Sequence, residues 1–93
     1  GWSPYFIDVR SQQENDEAKI AKAVDFCPHT EFISAVERIP KDADVLVHCR
    51  SGMRSQLAIM QLIEAGYDGA KMYNLSGGII GWVEVDPEGI IYG

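Results

Sequence analysis

Along the 93 residues, short runs of apolar side chains alternate with stretches whose apolar positions recur at helical spacing. Tyr5 to Val9 ("YFIDV") predicts a strand. Ser11 then caps a polar helical stretch, "QQENDEAKIAKA". Val24 to Cys27 ("VDFC") predicts a second short strand, stopped by Pro28. Thr30 is placed to cap a helix that carries Phe32, Ile33, Val36 and Ile39 at helical spacing and ends at Pro40. Val45 to His48 is apolar up to its last residue, the pattern of a strand buried on both faces. Ser55 to Ala65 predicts a mostly apolar helix with Gly66 as its stop, and Leu57 to Ile63 within it is expected in the core. Lys71 to Leu75 predicts a fourth strand, and "GGIIGWVEV" turns into a short helix. Strands alternating with helices imply an α/β fold, a parallel sheet covered on both faces, whose ligand sites lie beyond the carboxyl ends of the strands.

Composition confines this pattern to one domain, residues 1–93. The chain is too short for two cores, and its 46% hydrophobic and 24% charged residues are ordinary for a folded protein. No run is long enough to span a bilayer, and no basic and hydrophobic leader opens the chain, so a cytoplasmic location is expected. The start at Gly1 without methionine fits a piece of a longer protein. Fourteen acidic against eight basic residues give a net charge of −6, which disfavours nucleic acid or an anionic membrane as partner. The distribution matters more than the total. Between Asp44 and Glu64 no residue is acidic, whereas His48, Arg50 and Arg54 lie there with Cys49 among them.

Two cysteines, Cys27 and Cys49, without a C-x-x-C spacing are neither a disulfide scaffold nor a zinc site, and no metal is expected. In "VLVHCRSGMRSQL" Cys49 ends a strand, and Arg50 to Met53 form a tight turn into the next helix. Gly52 gives that turn a positive φ or a close approach. The loop amides and the first turn of the helix then form a nest for an anion with Cys49 at its floor. Such surroundings favour thiolate, and Arg50 and Arg54 suit a sulfate, sulfonate or phosphate group. The site is expected to attack an electrophile attached to an oxyanion and then to hold an anion bonded to its own sulfur.

"CRSGMRS" after an apolar strand, with "IDVR" before it and "NLSGGIIGW" after it, resembles the three hallmarks of rhodanese-type sulfurtransferases in their order. The resemblance implies a single-domain rhodanese-like fold with four or five parallel strands. It implies Cys49 as nucleophile and persulfide carrier, with Arg50, Ser51, Gly52, Met53 and Arg54 as its cradle and Ser55 at the helix start. Asp8 and Arg10 would support the loop by an ion pair or hydrogen bonds. Neither metal nor organic cofactor is implied. Related phosphatases and arsenate reductases use H-C-x5-R, whereas Cys49 to Arg54 is C-x4-R, which favours sulfur chemistry. A non-catalytic docking module of the same fold, or a cysteine-dependent phosphatase or arsenate reductase, are the competing readings.

"PHTEF" and the tail "GWVEVDPEGIIYG" resemble the C-terminal rhodanese domain of proteins that join it to an adenylation domain. The implied partners are a small sulfur donor or persulfide-bearing protein, a ubiquitin-like sulfur-carrier protein, and an adenylation domain that these 93 residues lack. The usual G-H-I-P-G-A segment is replaced by "AKIAKAVDFCPHTEF". The resemblance implies a strand and helix ahead of "IDVR"; this chain is expected to lack them, with the first edge strand missing or reduced to Gly1 to Pro4. His48 is expected on the face opposite Cys49, His29 in a structural or solvent-facing position, and Trp82 in the core. Gly77 and Gly78 are expected to permit close backbone approach. Cys27 reads as a small apolar strand-end residue, with a resolving thiol as its alternative.

Overall fold

The computed structural model describes residues 2–93. Four parallel strands make the central sheet in the order β3-β1-β4-β5, where β1 is Tyr5–Asp8, β3 Asp25–Phe26, β4 Val45–His48 and β5 Met72–Asn74. The register sets Tyr5 against Val45 and Asp8 against His48, so β1 and β4 end level with each other. Both central strands are buried almost throughout, as their near-continuous apolar character requires.

Alternation along β1 and β4 divides the core in two. Ile7, Val9, Val45, Val47 and Cys49 face one side and pack with Phe32, Ala35, Val36 and Ile39, and with Ala58 and Leu62 of helix α3 (Met53–Glu64). Helix α2 (Ile33–Val36) covers the same face. Phe6 and Leu46 face the other side, against Ile79, Trp82 and Val83 of helix α4 (Gly78–Val85) and against Ile20 and Ile90. Among the described residues no helix is long and apolar enough to cross a membrane.

Several elements differ from the sequence expectation. The helix after Ser11 ends early: α1 is Gln12–Glu17, and Ala18–Ile20 is a strand, β2, paired antiparallel with Ile90–Tyr92, β6. Ser11 does cap α1, through a capping box with Glu14. Burying Ile20 with Ile90 in the second core outweighs local helix preference. Thr30 caps nothing. It lies in a single 3-10 turn, His29–Glu31, that runs into α2 through Phe32, and Ile33 points outward while Phe32, Val36 and Ile39 are buried. Helix α3 begins at Met53 rather than Ser55, and only Ala58 and Leu62 of its middle are buried, with Leu57, Met60 and Ile63 about half exposed. Trp2 to Pro4 form no strand, and Gly1 lies outside the described residues.

Candidate active site

Cys49 follows the last residue of β4, and Gly52 is the N-cap of α3 with φ +107°, a conformation that an L side chain resists. The intervening turn folds back over the sulfur. Gly52 donates its backbone N–H to Cys49 Sγ at 3.0 Å, and Ser55 Oγ lies 3.5 Å from the same sulfur. The Gly52 amide is thus directed at the sulfur. Burial pushes the Cys49 thiol up, but the Ser55 hydroxyl and the backbone N–H groups of Ser55, Gly52 and Ser51 outweigh it and hold the thiol below its ordinary value. The residue is only 1% exposed, while Arg50 and Ser51 above it are exposed.

Two glycines let the loop close this tightly. A Cβ on Gly52 would stand 2.8 Å from the Ser76 carbonyl oxygen. Gly78, at φ +58°, passes so close under the loop that a Cβ would fall 2.1 Å from the Arg50 carbonyl oxygen and 2.6 Å from that of Cys49. Ile79 N–H then donates to Cys49 O at 3.0 Å, tying the start of α4 to the nucleophile's own backbone. Gly77 has no such constraint, since a Cβ there meets Gly81 Cα at an ordinary 3.4 Å.

Around the loop, Asp8 pairs with Arg10 and Glu14 with Arg54. Asp8 accepts from Arg10 Nε and Nη2, from the Arg10 backbone N–H and from Asn15 Nδ2. Burial pushes the Asp8 carboxyl up, but these donors prevail and hold it below the ordinary carboxylate range. Arg10 also donates to the carbonyls of Glu14 and Ala18, so this buried pair fastens α1 and β2 beside the strand ends. Arg54 aims its fork at Glu14, with Nη1 to Oε1 at 2.6 Å and Nη2 to Oε2 at 2.8 Å. That pairing, not the cradle, takes the Arg54 hydrogen bonds, and it brings the Glu14 carboxyl down to about 2. Arg50 has no ion-pair or hydrogen-bonding partner for its side chain among the described residues, and Met53 projects outward with 75% exposure.

The other candidates fall on either side of the sheet. His48 points away from Cys49, as strand alternation requires, and its ring meets Phe6 edge-on at 5.3 Å between centroids. Both its nitrogens are buried without a hydrogen-bond partner among the described residues, with Nε2 3.9 Å from Asp8 Oδ1. Cys27 is buried in the same core as Cys49 and its Sγ donates to the Glu31 carbonyl at 3.4 Å. His29 is half-buried at the turn after β3. Trp82 packs on Phe6 in the second core.

Asn74 was not singled out by the sequence. It ends β5 next to the loop and bonds to both Ser55 and Gly52. Its place within "NLSGG" is the only signal that could have drawn attention to it.

Residues 1–85 match the family model described as a rhodanese-like domain. A sulfurtransferase of Allochromatium vinosum is 40% identical over 88 residues, an alignment spanning 89% of this chain and 79% of that protein. The adenylyltransferase and sulfurtransferase uba4 of Ogataea parapolymorpha is 28% identical over 91 residues, 97% of this chain and 23% of that protein. Among solved structures, reduced Bacillus anthracis CoADR-RHD superimposes with a TM-score of 0.81 at 34% identity, covering 96% of this chain and 15% of that one.

Proposed function

The chain belongs to the rhodanese-like domain family, and from that premise we propose that it is a cytoplasmic sulfurtransferase working through a persulfide on Cys49. The observation that carries this reading is the Gly52 N–H directed at Cys49 Sγ from a loop whose other amides also favour the charged sulfur. The Cys49 thiolate attacks the outer sulfur of a donor such as thiosulfate. The donor's S–S bond breaks, sulfite leaves with the electron pair, and Cys49 holds a persulfide whose negative charge rests on the outer sulfur. An acceptor thiolate then takes that outer sulfur and returns Cys49 as thiolate. Neither step needs a metal or an organic cofactor. Donor and acceptor reach the sulfur when the exposed Arg50 and Ser51 give way, and Arg50 is the cation free to meet the donor's oxyanion.

The kinship with uba4, in whose name adenylyltransferase and sulfurtransferase stand together, supports one class of acceptor. The reading extends to a small sulfur-carrier protein activated at its C-terminus by an adenylation unit.

Intact mass of the protein after incubation with thiosulfate tests the first part. A gain of one sulfur atom, absent in Cys49→Ala, is expected, with the Cys49→Ala fold unchanged. No gain with either thiosulfate or a persulfide-bearing protein as donor, or turnover of an aryl phosphate through a trapped phosphocysteine, overturns it. Transfer from the loaded protein to an adenylated carrier, compared with transfer to small thiols, tests the second part. Transfer to small thiols alone overturns it.

A further inference from the structure

The Ser55 hydroxyl has a single hydrogen and three acceptors around it. Its Oγ lies 3.5 Å from Cys49 Sγ, 3.0 Å from the Gly52 carbonyl oxygen and 2.5 Å from Asn74 Oδ1. Which acceptor receives the hydrogen is decided by Asn74. The Gly52 carbonyl can only accept, so the amide face turned to it, 2.8 Å away, must be Nδ2. The other face, Oδ1, is thereby fixed against Ser55. The shortest contact of the three then requires that Ser55 donate to Asn74, and the Cys49 S–H donates to Ser55 Oγ in turn.

A thiolate reverses this order. With no hydrogen of its own it needs Ser55 as a donor, so Ser55 must turn from Asn74 to the sulfur and leave two oxygens facing each other without a hydrogen between them. A persulfide makes no such demand, because its inner sulfur is divalent and uncharged and the charge lies one atom further out. The Ser55 bond to Asn74 therefore agrees with the resting thiol and with the loaded state, and limits how far the Ser55 hydroxyl, which on balance favours the charged sulfur, can do so.

We propose that Asn74 is a positioning residue that holds the Ser55 hydrogen off Cys49 Sγ, so that ionisation of the sulfur must win that hydrogen from the amide. This rests on the reading of Cys49 as the working sulfur. The charged groups near the sulfur stay outside the arrangement. Arg54 on α3 is paired with Glu14 of α1, Asp8 of β1 is paired with Arg10, His48 points to the opposite face, and the exposed Arg50 side chain has no partner among the described residues. Among the described residues the side-chain hydrogen bonds of Asn74 go to Ser55 and Gly52.

Asn74 is on the exposed side of β5, so truncating it admits water. Water can turn to donate to the Gly52 carbonyl while Ser55 donates to the sulfur, a combination the fixed amide forbids. Asn74→Ala is thus expected to favour the thiolate, whereas a residue that merely braced the loop would, on removal, loosen the Gly52 N–H and disfavour it. The opposite signs make the two roles separable.

The experiment is a titration of the Cys49 thiolate by its ultraviolet absorbance on the unloaded protein, with the Cys49→Ala signal subtracted to remove Cys27. Asn74→Ala is expected to hold about three- to tenfold more thiolate than the parent at a pH below the parent's midpoint, the weight of one hydrogen bond. Ser55→Ala is expected to shift the midpoint upward, and adding Asn74→Ala to it is expected to change nothing further. An unchanged or raised midpoint in Asn74→Ala, or an equal shift with and without Ser55, overturns the proposal. If Asn74→Ala folds poorly, Asn74→Val, better suited to a strand, takes its place with the same expectation. No sulfur donor enters the titration, so a failure of sulfur loading in the mass experiment leaves this result standing on its own.

Discussion

At the scale of single residues, Gly78 and His48 show opposite consequences of close packing. Gly78 takes a positive φ beneath the Arg50 carbonyl because nothing larger than hydrogen fits there. Gly78→Ala is expected to destabilise the protein by at least the ~1–3 kcal/mol of a strained backbone position. It should also displace the loop, so the thiolate titration and the urea midpoint should both move; a change in neither contradicts the packing described. His48 is the reverse case, a polar ring with no hydrogen-bond partner for either nitrogen among the described residues and only a 3.9 Å approach of Nε2 to Asp8 Oδ1. Burial lowers its pKa below the ordinary 6.5, against the pull of Asp8 upward, with Arg10 adding to the lowering. Because the folded value is the lower one, the unfolded chain binds the proton more readily. Stability is therefore intact above pH 6.5, declines as pH falls from there toward the folded value, and levels off beneath it. His48→Phe keeps an aromatic ring against Phe6 and removes the orphaned nitrogens. It is expected to gain about 1 kcal/mol near pH 7 and to lose the decline below pH 6.5, both readable from urea denaturation at a series of pH values.

Among elements, what the sequence made legible was whatever depends on neighbours along the chain. Val45 to His48 emerged with its predicted bounds because four buried positions in succession leave a strand little choice, and Ser11 could be seen as a cap because its partner Glu14 is three residues on. The Cys49 turn was legible for the same reason: strand, thiol, glycine and helix start follow one another within seven residues. Ala18 to Ile20 were not, since their residues suit a helix and only Ile90 to Tyr92, some seventy positions away, make them a strand. The role of Arg54 was hidden in the same way, because its partner Glu14 is forty residues distant. That pair latches α1 to α3 beside the thiol. Its main cause, the Arg54 hydrogen bond, lowers Glu14 from 4.5 to about 2, so its stabilisation is present above pH 4.5 and is lost as pH falls toward 2. Glu14→Gln retains an oxygen for the Ser11 cap but not the charge. It is expected to cost about 0.2–1 kcal/mol at neutral pH and to flatten the acid limb between 4.5 and 2; an acid limb as steep as the parent's would remove the latch from the account.

Over the whole molecule, stability divides between the parallel sheet and a ribbon made by its two distant ends. β2 and β6 pair over three residues each and bring Ile20 and Ile90, with Ala18 packed beside them, to the second core, and Arg10 reaches the Ala18 carbonyl and thereby ties the ribbon to Asp8 and the strand ends. A pairing so short, joined across most of the chain, is the part expected to open without the rest. Amides bonded within the ribbon, including Ala21 N–H to Gly89 O and Gly93 N–H to Glu17 O, are expected to exchange with solvent faster than those joining β1 to β4. Ile90→Ala removes a side chain that is 8% exposed, at a cost of about 2–5 kcal/mol for a buried isoleucine. If the ribbon is a separate unit, native-state hydrogen exchange will show that cost concentrated in its own amides, with Val9 N–H to His48 O and the β4 amides protected nearly as before. Equal loss of protection at every amide would instead make the ribbon inseparable from the sheet, and the Arg10 link to Ala18 would then be the contact through which the two unfold together.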